Sequence, residues 1–284
     1  MAIDYHKALA LDIPAVEQTF TERDTMLYAL GLGLGSDPLN EAELRYVYEK
    51  ALRTFPTMPV SQAFVSLRAI DLGIDYTKMV HGEQSLRLHA PLPVAGTLLG
   101  KTRVTGIVDR GAGKGALVYL ERELRDKSTG TLLATAGMSA FCRADGGFGG
   151  PVTDGPAPHK LPERAADLQV DIPTLPQAAL IYRLSGDINP LHSDPEVARK
   201  AGFDRPILHG LATFGIVARA VVSEVLGHDG SRLESFAGRF SAPVFPGETI
   251  RVELWRDGEA VSARASSVQR CTVVFNNGRA IVRA

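Results

Sequence analysis

Between Asp187 and His192 the chain reads Asp187-Ile188-Asn189-Pro190-Leu191-His192, which puts a carboxylate, a carboxamide and an imidazole in one short loop. Pro190 stiffens the loop that presents them. Asp187 with His192 forms an acid/base pair of the kind that positions a water and moves its proton. In isolation, an Asx turn with a capping Asp and a surface His fits the loop equally well. The next landmark is His209-Gly210, which opens an apolar run. A helix whose first residue is Gly lets a ligand oxygen approach the backbone N–H, and the helix dipole favours negative charge developing there. Ordinary helix initiation is the competing reading of that pair. Together the two features describe addition of water to a double bond conjugated with a thioester carbonyl. Gly210 would meet the enolate-like oxygen, and Asp187 and His192 would handle proton and hydroxide. Which of the two is acid and which base stays open, because such a pair titrates as a unit.

These groups need elements to hold them. The strongest helical pattern runs from 210 to 226 with Gly227 as its stop, and it is apolar nearly all round, which requires a sheet wrapped about it. Shorter helices are expected at 22–30, 41–52, 177–184 and 195–200. Alternating runs predict strands at 84–89, 98–108, 116–125 and 131–141, then at 233–240, 249–255, 260–268 and 271–275. Asn277-Gly278 reads as a hairpin turn before a last short strand at 280–283. A Gly- and Pro-rich seam from 145 to 159 divides the chain into 1–148, a linker at 149–160, and 161–284.

The two halves look like diverged copies. Ala90-Pro91-Leu92-Pro93 with Gly96-Thr97 parallels Ala242-Pro243-Val244-Phe245-Pro246-Gly247 with Thr249, and His81-Gly82 parallels His209-Gly210. Residues 82 to 90 span only a strand, whereas 210 to 242 hold an apolar helix and a strand. The first half has therefore lost its central helix, leaving an apolar trough that a long acyl chain would fill. Aligning Tyr28 with Tyr182 sets Gly33, Gly35 and Pro38 where Asp187, Asn189 and His192 stand, so the first half is catalytically blank.

Composition excludes several alternatives. The 284 residues carry 31 Lys and Arg against 32 Asp and Glu, a net charge of -1 that gives neither nucleic acid nor an anionic membrane a footprint. Cys142 and Cys271 have no motif spacing, no zinc-type cluster exists, and a reducing compartment is the simpler reading. The N-terminus carries acids within its apolar stretch, unlike a signal peptide, and no run of about 18 apolar residues supplies a membrane span. Gly31-x-Gly33-x-Gly35 lacks the third Gly of a dinucleotide fingerprint, and Gly113-Lys114 is followed by Gly rather than Ser or Thr.

The run from Tyr182 to His192, followed by Leu208-His209-Gly210 and Pro243-Val244-Phe245-Pro246-Gly247-Glu248-Thr249, resembles the signature of the type 2, (R)-specific enoyl-CoA hydratases of the MaoC-like hot-dog superfamily. The likeness extends upstream through Glu22-Arg23-Asp24, Tyr28 to Gly33, His81-Gly82-Glu83-Gln84, Pro91-Leu92-Pro93 and Gly146 to Gly150, so it covers almost the whole chain in the two-domain form. It implies an α+β double hot-dog of two antiparallel sheets, with the central helix retained in the C-terminal half and lost in the N-terminal half. Asp187 and His192 would be the catalytic pair, Asn189 would help hold substrate or water, and Gly210 would supply the oxyanion N–H. His81 and Gly82 would line the acyl-CoA site, Phe240 would line a pocket, and Arg110, where the family form has Lys, would meet a CoA phosphate. The implied activity is reversible hydration of trans-2-enoyl-CoA to (3R)-3-hydroxyacyl-CoA in fatty-acid metabolism, with medium, long or bulky acyl chains and with no cofactor or metal. The alternatives are a hot-dog thioesterase and a non-catalytic acyl-thioester binding subunit. The C-terminus Ile281-Val282-Arg283-Ala284 is not a peroxisomal tripeptide, so a free-standing bacterial, cytoplasmic enzyme is expected. A homodimer fits by analogy, although a double hot-dog already contains the paired unit.

Overall fold

Long runs of alternating burial form the long strands on which the rest of the chain is arranged. The computed structural model describes residues 3–151 and 155–283. The N-terminal half contains α1 (Tyr5–Leu9), β1 (Val16–Phe20), α2 (Glu22–Gly31), α3 (Glu41–Leu44), β2 (Met79–Leu88), β3 (Gly96–Asp109), β4 (Ala116–Asp126) and β5 (Leu132–Cys142). The C-terminal half contains β6 (Leu168–Pro173), α4 (Ala178–Tyr182), α5 (Pro195–Lys200), α6 (Gly210–Glu224), β7 (Leu233–Phe240), β8 (Thr249–Asp257), β9 (Ala260–Ser267) and β10 (Thr272–Val282).

The two expected antiparallel sheets are joined edge to edge into one antiparallel sheet of ten strands, ordered β1-β3-β4-β5-β2-β7-β10-β9-β8-β6. The order reads symmetrically outward from the β2–β7 pair, which runs from Glu83 opposite Arg239 to Arg87 opposite Ser235. This is the double hot-dog arrangement, with each strand of one half matched by a counterpart in the other.

Filling distinguishes the halves. Ten of the fifteen residues of α6 are buried, and the C-terminal sheet wraps it with Phe236, Phe275, Ile250, Val252, Leu254 and Val261, each fully enclosed. An all-round apolar helix is stable only in such a sleeve. In the N-terminal half no described helix takes that place. Residues 45–78 cross the sheet as a strap of turns with short 3-10 segments at Met58–Ser61, Leu67–Ala69 and Tyr76–Lys78. Beneath part of it lies a small, partly open apolar cavity of about 20 Å³ between Phe20, Met58, Leu98, Leu124 and Leu133.

The halves are also pinned together through α6. Arg219 pairs with Glu43 at 2.8 Å, the two side chains 13% and 4% exposed, and a Glu43 oxygen accepts from the Gly35 N–H. That buried pair explains why the helix expected at 41–52 stops at Leu44. The chain turns to keep Glu43 on Arg219, and Ala51 adopts a positive φ of 56° in the turns that follow.

The expected hairpin at Asn277-Gly278 does not form. β10 runs straight through, because Arg279 to Ile281 continue to pair with β7 and β9. Asn277, at φ 55°, supplies a bulge instead, and its side-chain amide donates to the His159 carbonyl at 2.8 Å. The strands turn earlier, at Cys271, whose φ is 49°. The Gly-rich run at the seam is tied to the N-terminal half, since the Asp109 carboxylate accepts from the N–H groups of Gly111, Gly147 and Gly149 at 2.7 to 2.9 Å. Part of the expected linker, residues 152–154, lies outside the described residues, as does Ala284. No described helix is long and apolar enough to cross a membrane.

Candidate active site

The loop that joins α4 to α5 carries the acid/base residues, and its own hydrogen bonds fix it. Asp187 accepts from the Asn189 N–H at 3.2 Å, and Asn189 caps the 3-10 turn Pro190–His192 by accepting from the Leu191 N–H at 3.1 Å. The Asx geometry of the plainer reading is therefore present, and it serves to aim the functional groups. Gly186 makes the approach possible. Its φ is 125°, and a Cβ there would stand 3.1 Å from the Ser61 carbonyl of the strap.

His192 is buried, and its Nδ1–H donates to the Ile207 carbonyl at 2.8 Å. That bond fixes the tautomer and leaves Nε2 as a lone pair. Burial pushes the His192 pKa down, against the opposing pull of the Ile207 hydrogen bond and the Asp187 charge. The ring is thus neutral at neutral pH and able to accept a proton.

Sequence reasoning named His209 only as the residue before Gly210, and the structure gives its side chain a place in the site. Its Nε2–H donates to the Asp187 backbone carbonyl at 3.0 Å, and its ring stacks on His192 with centroids 3.8 Å apart. His209 Nδ1 is buried without a hydrogen-bond partner, and desolvation, helped by His192, pushes the pKa down to about 4. Asp187, His192 and His209 each offer a donor atom within 4.8 Å of the others, a set that could also hold a divalent cation. The loop and the helix start were expected to act together, but nothing in the spacing places the His209 ring itself on His192.

The helix start itself is open. His209 occupies the N-cap of α6 with no side-chain cap, so the first-turn N–H groups are unused. Phe240 packs against Gly210, where a Cβ would stand 3.4 Å from the ring, and His81 meets Phe240 edge-on at 4.9 Å. His81 donates to the Glu83 carbonyl at 3.0 Å and is pushed by burial to about 4. It sits in β2, at a register shift between His81 and Glu83 that includes Gly82, and not at a helix start like Gly210. The strand counterpart of β2 is β7, so the two His-Gly pairs are not structural equivalents. Tyr28 and Tyr182, aligned in the sequence comparison, pack together at 5.8 Å, and Tyr182 also lies 5.0 Å from His209. Arg110 stands exposed at the β3–β4 turn, its N–H bonded to Gly115, with no contact tying it to this cluster.

A sheet of two matched hot-dog halves, one filled by a helix whose first residue faces an acid/base loop, defines a MaoC-like double hot-dog protein. Residues 158–277 match the MaoC like domain, and residues 18–144 match the MFE-2 hydratase 2 N-terminal domain. The chain belongs to the hydratase 2 family of MaoC-like proteins. It is 41% identical to Enoyl-CoA hydratase ChsH3 of Mycobacterium tuberculosis over the full length of both chains. Its fold superposes with a TM-score of 0.86 on a MaoC-like dehydratase from Phytophthora capsici, 33% identical, covering 98% of each chain. A Mycobacterium tuberculosis protein described as having a double hotdog fold shares the architecture at a TM-score of 0.58 and 16% identity, covering 98% of each chain.

Proposed function

We propose that this chain catalyses reversible hydration of trans-2-enoyl-CoA to (3R)-3-hydroxyacyl-CoA without a resident cofactor. The observation that carries the reading is His192 Nε2, locked as an acceptor by the Nδ1–H bond to Ile207, grouped with Asp187 at the uncapped start of α6. A water held by the Asp187 carboxylate gives a proton to Nε2, and its oxygen adds to C3. The C2=C3 electron pair moves onto the thioester oxygen, where the Gly210 N–H meets it. The proton then returns from the same pair to C2, on the face from which the oxygen came. Asn189 helps hold substrate, while His81, Gly82 and Phe240 line the approach and Arg110 meets a CoA phosphate. The acyl chain occupies the space under the strap, which favours medium or long chains. The names of the relatives support the same activity.

Incubation with trans-2-decenoyl-CoA tests this. The expected result is loss of the enoyl absorbance with the thioester intact and an (R)-alcohol as product. Release of free thiol would assign a thioesterase instead, binding without turnover a non-catalytic subunit, and an (S)-product would overturn the stereochemical reading.

A further inference from the structure

The groups assigned to the chemistry reach the site on two separate segments, and few bonds join those segments. Asp187 and His192 stand on the loop before α5, whereas Gly210 opens α6. The side chains of Asp187 and Asn189 accept from N–H groups of the loop itself, which shapes the loop without attaching it to the helix. Attachment comes from two histidines used reciprocally. His192, on the loop, donates from Nδ1 to the Ile207 carbonyl at 2.8 Å, and His209, at the helix start, donates from Nε2 to the Asp187 carbonyl at 3.0 Å. Among the described residues no other hydrogen bond joins 186–192 to 207–210. The rings stack between the two bonds with centroids 3.8 Å apart, and His209 is fully buried.

The substrate makes this attachment matter. In an enoyl thioester C3, C2, C1 and the oxygen form one rigid conjugated plane, so the atom that water attacks and the atom where charge collects stand at a fixed separation. The Asp187 carboxylate and the Gly210 N–H must match it, and a misplacement of about 1 Å costs on the order of a hundredfold in rate. His209 directly precedes Gly210, and its bond falls on the main chain of Asp187 itself. One side chain therefore sets both ends of that separation.

We propose that His209 is a positioning residue, which holds the Asp187 main chain on the start of α6 so that the water-handling carboxylate and the oxyanion N–H act on one substrate together. This inference rests on the hydratase reading and goes beyond it, giving work to a ring whose one N–H is already spent on the protein. A ring that merely filled space would be replaceable by another apolar group of its size. A positioning donor is replaceable only by another donor.

The test uses three variants of the intact protein. His209→Phe keeps a flat ring and loses the donor, while His209→Gln and His209→Met match each other in length and differ in whether an N–H is present. With trans-2-decenoyl-CoA, His209→Phe and His209→Met are each expected to lower kcat roughly ten- to hundredfold with KM within about threefold of wild type, and His209→Gln to stay within about fivefold in kcat. Equal kcat in His209→Gln and His209→Met, a more active His209→Phe than His209→Gln, or losses confined to KM would each overturn the proposal. Should His209→Phe fail to fold, the matched Gln and Met variants decide. Absence of turnover in the wild type would instead refute the hydratase reading, and amide hydrogen exchange at 187–192 would then decide the role of His209: faster exchange in His209→Met than in His209→Gln upholds it, and equal exchange overturns it.

Discussion

The two halves share one sheet plan and differ in what lies against it. In the C-terminal half α6 fills the sleeve with Phe214, Ile216 and Val217 fully enclosed, and the start of that helix faces the Asp187–His192 loop. In the N-terminal half a strap of turns lies across the sheet, and the loop after α2 carries Gly33, Gly35 and Pro38. Loss of the helix opened the cavity and at the same time removed the helix N-terminus at which an oxyanion could be held. Room for a ligand and catalytic chemistry are therefore alternative uses of one position in this fold, and the duplication lets the molecule have both.

The sharpest way to break the comparison is to remove the chemistry from the half that has it. Asp187→Asn and His192→Ala should each lower kcat by about 10²- to 10⁴-fold, the usual range for acid/base groups, with little change in Tm. Pro38→Ser, at the equivalent position of the other half, should leave kcat unchanged. Activity retained in Asp187→Asn, or lost in Pro38→Ser, would undo the division of labour.

A smaller effect concerns the space. Ala134 lines the cavity and is fully enclosed. Ala134→Phe should lower kcat/KM for a ten-carbon substrate by roughly tenfold relative to a four-carbon one, the scale of one to two buried methylenes. Equal losses on both chains would separate the cavity from acyl binding.

The smallest effect is on stability. His81 from one half and His209 from the other are both pushed to about 4 by burial, against an ordinary 6.5. Both are neutral in the folded protein, and below pH 6.5 the unfolded chain binds the protons that they refuse. Their contribution is complete above pH 6.5 and is lost as pH falls toward 4. Tm should therefore drop by several degrees between pH 7 and pH 5, and His81→Gln should flatten that slope. An unchanged slope in the variant would remove His81 from the explanation.

Much of this was legible in the residues. The strand at 233–240 and the helix at 195–200 form where their patterns end, because alternation and the Asp194 cap, with Pro195 at the first position, are local signals. The edge strands β1 and β6 gave little signal, being short, with one face exposed and the other only partly buried. The truncated helix after Glu41 and the bulge at Asn277 were misread for another reason. Each is decided by a distant partner, Arg219 in the first case and the β7 and β9 ladders in the second. The same holds at the site. Asp187, Asn189 and His192 stand out as a local cluster, whereas the side-chain position of His209 depends on a bond to the Asp187 carbonyl that spacing cannot reveal.

The β2–β7 pairing has a consequence for how such a chain could be divided. Those two strands form the centre of the sheet, and each lends its partner a full ladder of backbone hydrogen bonds from Glu83–Arg239 to Arg87–Ser235. Cutting the chain at the seam would leave each piece with its most interior strand as a bare edge, a template for pairing with any available strand. The separated halves would dimerise with themselves or aggregate, so the fused chain protects by covalent linkage what a dimer of single hot-dogs must protect by concentration.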